Sequence, residues 1–226
     1  MSTRLIAFDV DSTLLTVESL DVAISAALAG HPEAEARREA LHRITQAGMS
    51  GELAMADSLA ARLKLADLDA RRVAAIAFDL RSTITAGMAD MLRELRERGD
   101  QVYAISGGFR DLLDPVLSDL AFAPEHRFAN RFKWGKTGVE GVDTSIALSR
   151  NGGKAEILKR LMDQTGHATA WLVGDGMTDC EASDAPGIRF IGFAQNADRP
   201  AVRAAAAQRG QVFTNTLTEL RAVLLD

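Results

Sequence analysis

A single cysteine, Cys180, in 226 residues excludes an intrachain disulfide and leaves no cysteine pair for a zinc site. It reads as a small buried hydrophobe. The four histidines, His31, His42, His126 and His167, show no metal-ligand spacing. Basic residues are not in excess: 26 Lys and Arg against 31 Asp and Glu leave a net charge of −5. A general nucleic-acid binder would carry a basic patch or stripe instead. The only apolar run at the N-terminus is strand-length and meets Asp9 at once, so it predicts neither a signal peptide nor a membrane span. A cytoplasmic location is the expectation. Internal repeats and low-complexity linkers are missing as well.

What is present is an ordinary globular composition, 47% hydrophobic and 25% charged, in a length that suits one domain with an insertion or two small domains. Leu5-Ile6-Ala7-Phe8 is an apolar run of strand type. From about 18 to 78 only helical patterns follow. They comprise an Ala-rich stretch ending near Gly30, a polar helix over 33–45, interruptions at Gly48 and Gly51, a helix over 52–65 with Met55, Leu59 and Arg62 on one face, and another over 67–78. Alternation of strand and helix resumes at Gly87. Met88, Met91, Leu92 and Leu95 form a helix stripe, and residues 101–105 form a strand ending in Ser106-Gly107-Gly108. A helix then runs to about Leu120, with a strand over 128–132 and a hairpin or irregular excursion over 133–142. Helices over 154–164, 201–208 and 217–225 alternate with strands over 170–173, 188–193 and 211–213. The pattern predicts an α/β fold: a Rossmann-like, mainly parallel sheet with helices on both faces. Residues 1–16 and 79–226 would form the core, and 17–78 a helical insertion after the first strand. Ligand sites in such sheets lie at the carboxyl ends of the strands.

Three of those ends carry residues able to do chemistry. The first strand runs into Asp9 and Asp11, two acids separated by Val10 and followed by Ser12 and Thr13. Like charges so close repel, and each is costly to desolvate without a partner. A hard cation such as Mg²⁺ resolves that conflict, since it takes oxygen ligands and is often held by one or two carboxylates beside a phosphate. An extended backbone turns both acids to one side, where one could attack and the other move protons. A solvated, Asp-rich helix cap is the plainer alternative. At the second end, the Ser106 hydroxyl and the N–H groups of two glycines can form an anion nest, although Ser-Gly-Gly is also common turn chemistry. At the third, Asp175, Asp179, Glu181 and Asp184 crowd one loop and helix start, with Asp175 between Gly174 and Gly176. Lys154 stands in the first turn of its helix, where the dipole disfavours a cation unless an anion binds there. Together these residues make the inventory for phosphoryl transfer through a carboxylate nucleophile.

Asp9-Val10-Asp11-Ser12-Thr13, Ser106-Gly107-Gly108, Lys154 and Gly174-Asp175-Gly176-Met177-Thr178-Asp179 resemble, in order and spacing, the four motifs of the haloacid dehalogenase-like phosphatase superfamily. Longer matches resemble the phosphoserine phosphatases within it. These are Phe8 to Thr13 with Glu18 and Asp21, Ile105 to Arg110, Phe128-Ala129-Asn130-Arg131, Gly152-Gly153-Lys154, Gly174 to Ala182, and Phe190-Ile191-Gly192-Phe193. The resemblance implies an Mg²⁺-dependent phosphomonoester hydrolase that converts O-phospho-L-serine to L-serine and phosphate, the last step of serine biosynthesis. It implies Asp9 as nucleophile, forming an aspartyl-phosphate, and Asp11 as general acid and base. It implies Asp9, the Asp11 backbone carbonyl and Asp175 at the metal, with Asp179 supporting through water, and Ser106, Gly107 and Lys154 at the phosphate. Glu18 would take the substrate amine and Arg62 its carboxylate, with Met49 and Thr178 also at the substrate. The helical insertion would be a cap that closes over the site.

Three positions depart from the family pattern. Met55 stands where Phe is common beneath the substrate, Ser50 replaces a Gly, and the segment before Gly87 lacks a Pro. The chain starts at its first strand, so the expectation is no N-terminal regulatory domain. Two alternatives stay open: a related phosphatase or phosphotransferase for another small phosphorylated metabolite, and a phospho-accepting signalling receiver. The receiver is about half this length, has no cap and needs no second acid beside its nucleophile. Neither a nucleic acid nor a membrane is an expected partner, and the sequence carries no reading of oligomeric state.

Overall fold

The computed structural model describes residues 3–225. Its centre is β1 (Leu5–Phe8), whose four side chains are fully buried. Alternate residues serve opposite faces: Ile6 and Phe8 join one apolar cluster, Leu5 and Ala7 another. Burial on both faces is why the strand reads as an uninterrupted apolar run rather than as an alternation. The same division recurs in β2 (Gln101–Phe109), where Val102 and Ala104 oppose Tyr103 and Ile105.

With β3 (Arg127–Asn130), β6 (Ala170–Gly174), β7 (Ile188–Phe193) and β8 (Val212–Thr214), these strands form a six-stranded sheet in the order β3-β2-β1-β6-β7-β8. All of its pairings are parallel, as expected. The chain builds outward from β1 through β2 and β3, then crosses back to lay β6, β7 and β8 on the other side. The strand order therefore reverses at β1 and β6, the position where open α/β sheets hold ligands. Phe8 pairs with Ala104 on one side and Val173 on the other, so the carboxyl ends of β1 and β6 are level, while β2 runs on beyond them to Phe109.

Helices α5 (Met88–Glu97), α6 (Arg110–Asp119) and α10 (Leu217–Leu225) cover one face, and α7 (Gly153–Thr165) the other, with α8 (Met177–Ala182) and α9 (Pro200–Gln208) beyond it. Between β1 and α5 lie α1 (Ser19–Ala27), α2 (Ala34–Ser50), α3 (Met55–Leu63) and α4 (Ala70–Asp79), with no strand among them. Their apolar residues, including Leu20, Ile24, Leu59 and Val73, run continuously into the cluster beneath α5 and α6.

Several boundaries differ from the sequence pattern. Gly48 does not interrupt its helix: α2 continues to Ser50 and stops at Gly51, whose φ of +85° favours glycine. Gly48 is there for space, since a Cβ would sit 2.5 Å from Ser58 Oγ on α3. Helix α3 starts at Met55 rather than near 52. Strand β2 does not end at Ser106 but runs to Phe109, with a register shift against β3 between Ile105 and Phe109. The expected strand over 128–132 divides: β3 stops at Asn130, and Phe132 opens a separate antiparallel hairpin of β4 (Phe132–Trp134) and β5 (Val139–Val142). No helix among the described residues is long and apolar enough to cross a membrane.

Candidate active site

Asp9 follows β1 directly, and its N–H donates to the Val173 carbonyl at 2.8 Å, holding it in the line of the sheet. The chain then winds tightly through Val10–Leu14. Within that turn Asp11 keeps an extended backbone, while Ser12 has a φ of +52°, uncommon for a residue with a Cβ. The turn brings Asp11 back towards the sheet, where its Oδ1 accepts the Ser19 N–H at 2.9 Å, at the start of α1. The Ser12 hydroxyl donates to Glu18 Oε1 at 2.7 Å. Burial, and then the nearby charges of Glu18 and Asp9, hold the Asp11 carboxyl well above the ordinary carboxylate range. A group so placed keeps its proton to higher pH than a surface acid does.

Ser106, Gly107 and Gly108 fall within the irregular stretch of β2. Gly108 is required by close approach, because a Cβ there would lie 2.6 Å from Asp11 Oδ2. Its N–H donates to Ser106 Oγ at 2.9 Å, which leaves the hydroxyl proton to donate elsewhere. Asn130, buried at the end of β3, donates to the carbonyls of Gly107 at 2.8 Å and Leu148 at 3.1 Å, pinning the glycine loop from behind. The Gly152-Gly153 pair before Lys154 also has a steric cause. Gly152 has a φ of +79°, and a Cβ on Gly153 would lie 2.2 Å from the Ala147 carbonyl oxygen.

Lys154 is buried, hydrogen-bonded to Asp179, and its Nζ lies 3.0 Å from Asp9 Oδ1. Burial alone would lower the pKa of the ammonium, but the carboxylates of Asp179 and Asp9 overcome that and raise it. The contact with Asp9 is an ion pair without hydrogen-bond geometry, so Asp9 Oδ1 remains a buried oxygen with no hydrogen bond.

Asp175 stands at the end of β6, and Asp179 one turn into α8, where its Oδ2 accepts the Gly176 N–H at 3.1 Å. Each of Asp9, Asp175 and Asp179 offers an oxygen, and these oxygens lie within 4.8 Å of one another. Burial raises the Asp175 pKa to about 8 and that of Asp179 to about 7, despite the cations beside them. Three buried hard donors, one of them accepting no hydrogen bond, fit a divalent cation, whose charge would offset the burial and the mutual repulsion that raise the pKa values of Asp175 and Asp179. These carboxylates could hold a metal. The Asp11 carboxylate is not in the cluster, and Asp184 is paired with Arg209 at the surface instead.

Of the residues expected at metal, phosphate and substrate, all but Asp175 line one small cavity. Asp9, Asp11, Ser106, Gly107, Lys154 and Asp179 line one end of it. Glu18, Met49, Arg62 and Thr178 line the rest, with Met55 against Gly107. Its free space is about 20 Å³, room for about one water. Arg62, only 4% exposed, is bonded through Nη1 to Asp21 Oδ1 at 3.3 Å, while its Nε is buried with no partner. Asp21 is held in turn by the Thr45 hydroxyl at 2.6 Å. Asp21 and Asn130 were part of the motif matches but had no role in sequence. Arg199 had no signal at all, yet it reaches Asp175 and Glu18 from the N-terminus of α9.

A family model described as haloacid dehalogenase-like hydrolase matches residues 6–184. The phosphoserine phosphatase of Homo sapiens is 32% identical over 216 residues, covering 95% of this chain and 92% of that protein. A substrate-bound phosphoserine phosphatase complex superposes with a TM-score of 0.81 at 26% identity, covering 99% of each chain. A phospho-aspartyl intermediate analogue of phosphoserine phosphatase superposes at 0.79, also at 26% identity and 99% of each chain.

Proposed function

This chain belongs to the haloacid dehalogenase-like hydrolase family, and on that premise we propose that it hydrolyses O-phospho-L-serine to L-serine and phosphate with Mg²⁺ as its resident ion. The observation that carries the substrate is the shared cavity: Glu18 and Arg62 face the same space as Asp9, Ser106 and Lys154. Phosphoserine differs from a generic phosphomonoester by an ammonium and a carboxylate on one carbon. An acid at one wall and a guanidinium with an unused N–H at another match that pair.

In the first step a carboxylate oxygen of Asp9 attacks phosphorus. The bond from phosphorus to the seryl oxygen breaks, and Asp11 gives its proton to that oxygen. In the second step Asp11, now a carboxylate, takes a proton from water. The water oxygen bonds to phosphorus as the bond to Asp9 breaks, releasing phosphate and restoring both acids. The raised pKa of Asp11 suits the first task. Lys154 and the Ser106 hydroxyl would hold phosphoryl oxygens, supported by the Gly107 loop that Asn130 pins. Asp9, Asp175 and Asp179, with the Asp11 backbone carbonyl, would hold the ion, which when bound would supply positive charge to the phosphoryl group.

Helices within 17–78 would act as a cap over a core of 1–16 and 79–226. The cavity as it stands admits no amino-acid phosphate, so these helices must part for substrate to enter and product to leave. Phosphate release measured across a panel of phosphomonoesters tests the assignment. L-Phosphoserine should give the highest kcat/KM. A higher value for a sugar or glycerol phosphate would assign the chain to another metabolite while leaving the chemistry intact.

A further inference from the structure

Of the three cations at this site, Lys154 and Arg199 each straddle two acids. Lys154 serves Asp9 and Asp179; Arg199 serves Asp175 and Glu18. Arg199 is 7% exposed and precedes α9 by one residue. Its Nε donates to Asp175 Oδ2 at 2.7 Å and its Nη2 to Glu18 Oε1 at 3.0 Å. Its Nη1 reaches Gln46 Oε1 on α2 at 3.5 Å. Burial would lower its pKa, but Asp175 and Glu18 overcome that and raise it, so the guanidinium keeps its charge.

The two carboxylates are bound by two N–H groups of one rigid plane. Asp175 is left with Oδ1, which the Thr13 hydroxyl touches at 3.3 Å, and Glu18 with Oε2. A displacement of either acid must tilt the fork and move the other. We infer that Arg199 is a positioning residue that couples the metal-binding acid Asp175 to Glu18, so that metal and substrate amine are not bound independently. The Glu18 half of this inference rests on the proposed substrate; the Asp175 half does not. Partners that orient metal ligands typically govern affinity by about 10- to 100-fold, and a guanidinium fork offers a fixed geometry that an ammonium does not.

The test is Mg²⁺ binding measured by titration calorimetry on the whole protein without substrate. Arg199→Lys keeps the charge and loses the fork. It should bind Mg²⁺ about 10- to 100-fold more weakly than the wild type. Arg199→Gln is the second variant, and stricter, because it removes a charge that repels a cation; binding should still weaken. Glu18→Gln should change Mg²⁺ affinity by factors that differ at least about threefold between the wild type and the Arg199→Gln background. At saturating Mg²⁺, Arg199→Lys should raise KM for L-phosphoserine about tenfold and leave KM for p-nitrophenyl phosphate within about twofold. Unchanged or tighter Mg²⁺ binding in both Arg199 variants overturns the inference, as do effects of Glu18 and Arg199 that simply multiply. If the wild type shows no preference for phosphoserine, the proposed substrate fails, while the calorimetric result on Asp175 still decides the role of Arg199.

Discussion

Removing the Arg62 guanidinium should separate recognition from chemistry. Arg62 is almost fully buried, and among the described residues only its Nη1 has an acceptor, Asp21 Oδ1 at 3.3 Å. The buried, unpartnered Nε is a donor waiting for an anion, since orphaned polar groups of this kind are rare in folded proteins. A substrate carboxylate would supply it. Each hydrogen bond to a charged group contributes roughly 1.5–3 kcal/mol, or about one to two powers of ten in binding. Asp21 keeps its Thr45 hydrogen bond at 2.6 Å when Arg62 is gone, which limits the collateral loss. Arg62→Ala should therefore lower kcat/KM for L-phosphoserine about 10- to 100-fold, and Glu18→Gln should do the same through the ammonium. Steady-state assays on p-nitrophenyl phosphate, which has neither group, should show less than about threefold change. Equal losses on both substrates would mean that the two residues hold the fold or the cover rather than the amino acid. No loss on either would remove phosphoserine as the natural substrate.

Asp9→Asn should abolish turnover while circular dichroism shows an intact fold; more than a few per cent of the wild-type rate would end the covalent mechanism. Asp11→Asn should slow phosphoserine hydrolysis by about 10²–10⁴-fold, the usual scale for general acid–base catalysis, and slow hydrolysis of p-nitrophenyl phosphate less, because nitrophenolate leaves with little protonation. Equal losses would argue against protonation of the leaving group. Asp175 and Asp179, with pKa values raised to about 8 and about 7, bind more protons folded than unfolded. Metal-free protein should thus lose stability as pH rises from about 4 to about 8, and Mg²⁺ should raise Tm more at pH 8 than at pH 5; a larger rise at pH 5 would contradict this. Gly153→Ala places a Cβ 2.2 Å from the Ala147 carbonyl oxygen and should destabilise by about 1–3 kcal/mol in urea melts while lowering activity through Lys154. An unchanged midpoint would show that the loop yields freely.

Local chemistry was legible along the chain because its causes are local. An apolar run ending in two acids reads as a strand end, and a glycine pair before a helical pattern reads as a helix entry, whereas the burial of Lys154 beyond it shows only in the structure. Strands alternating with helices imply a parallel sheet, and in a parallel sheet Asp9, Ser106 and Asp175 fall on one edge; the pairing of β1 with β2 and β6 bears this out. Boundaries were harder where a glycine had two meanings. Gly48 and Gly51 look alike in sequence, yet one makes room for Ser58 on a neighbouring helix and the other ends its own helix with a positive φ. The continuation of β2 through Ser106-Gly107-Gly108 was invisible for the same reason, since only β3 beside it supplies the partner.

What the tertiary structure alone decided is which charges meet. Arg62 faces Asp21 across 41 positions, Arg199 faces Asp175 across 24 and Glu18 across 181. No period or motif links such residues, and an arginine followed by a proline reads as a plain helix start. Burial gives these contacts their weight. Once six acids and three cations are taken out of water together, each pairing sets the proton affinity and orientation of its neighbours. That is a property of the packed site and of no single segment of the chain.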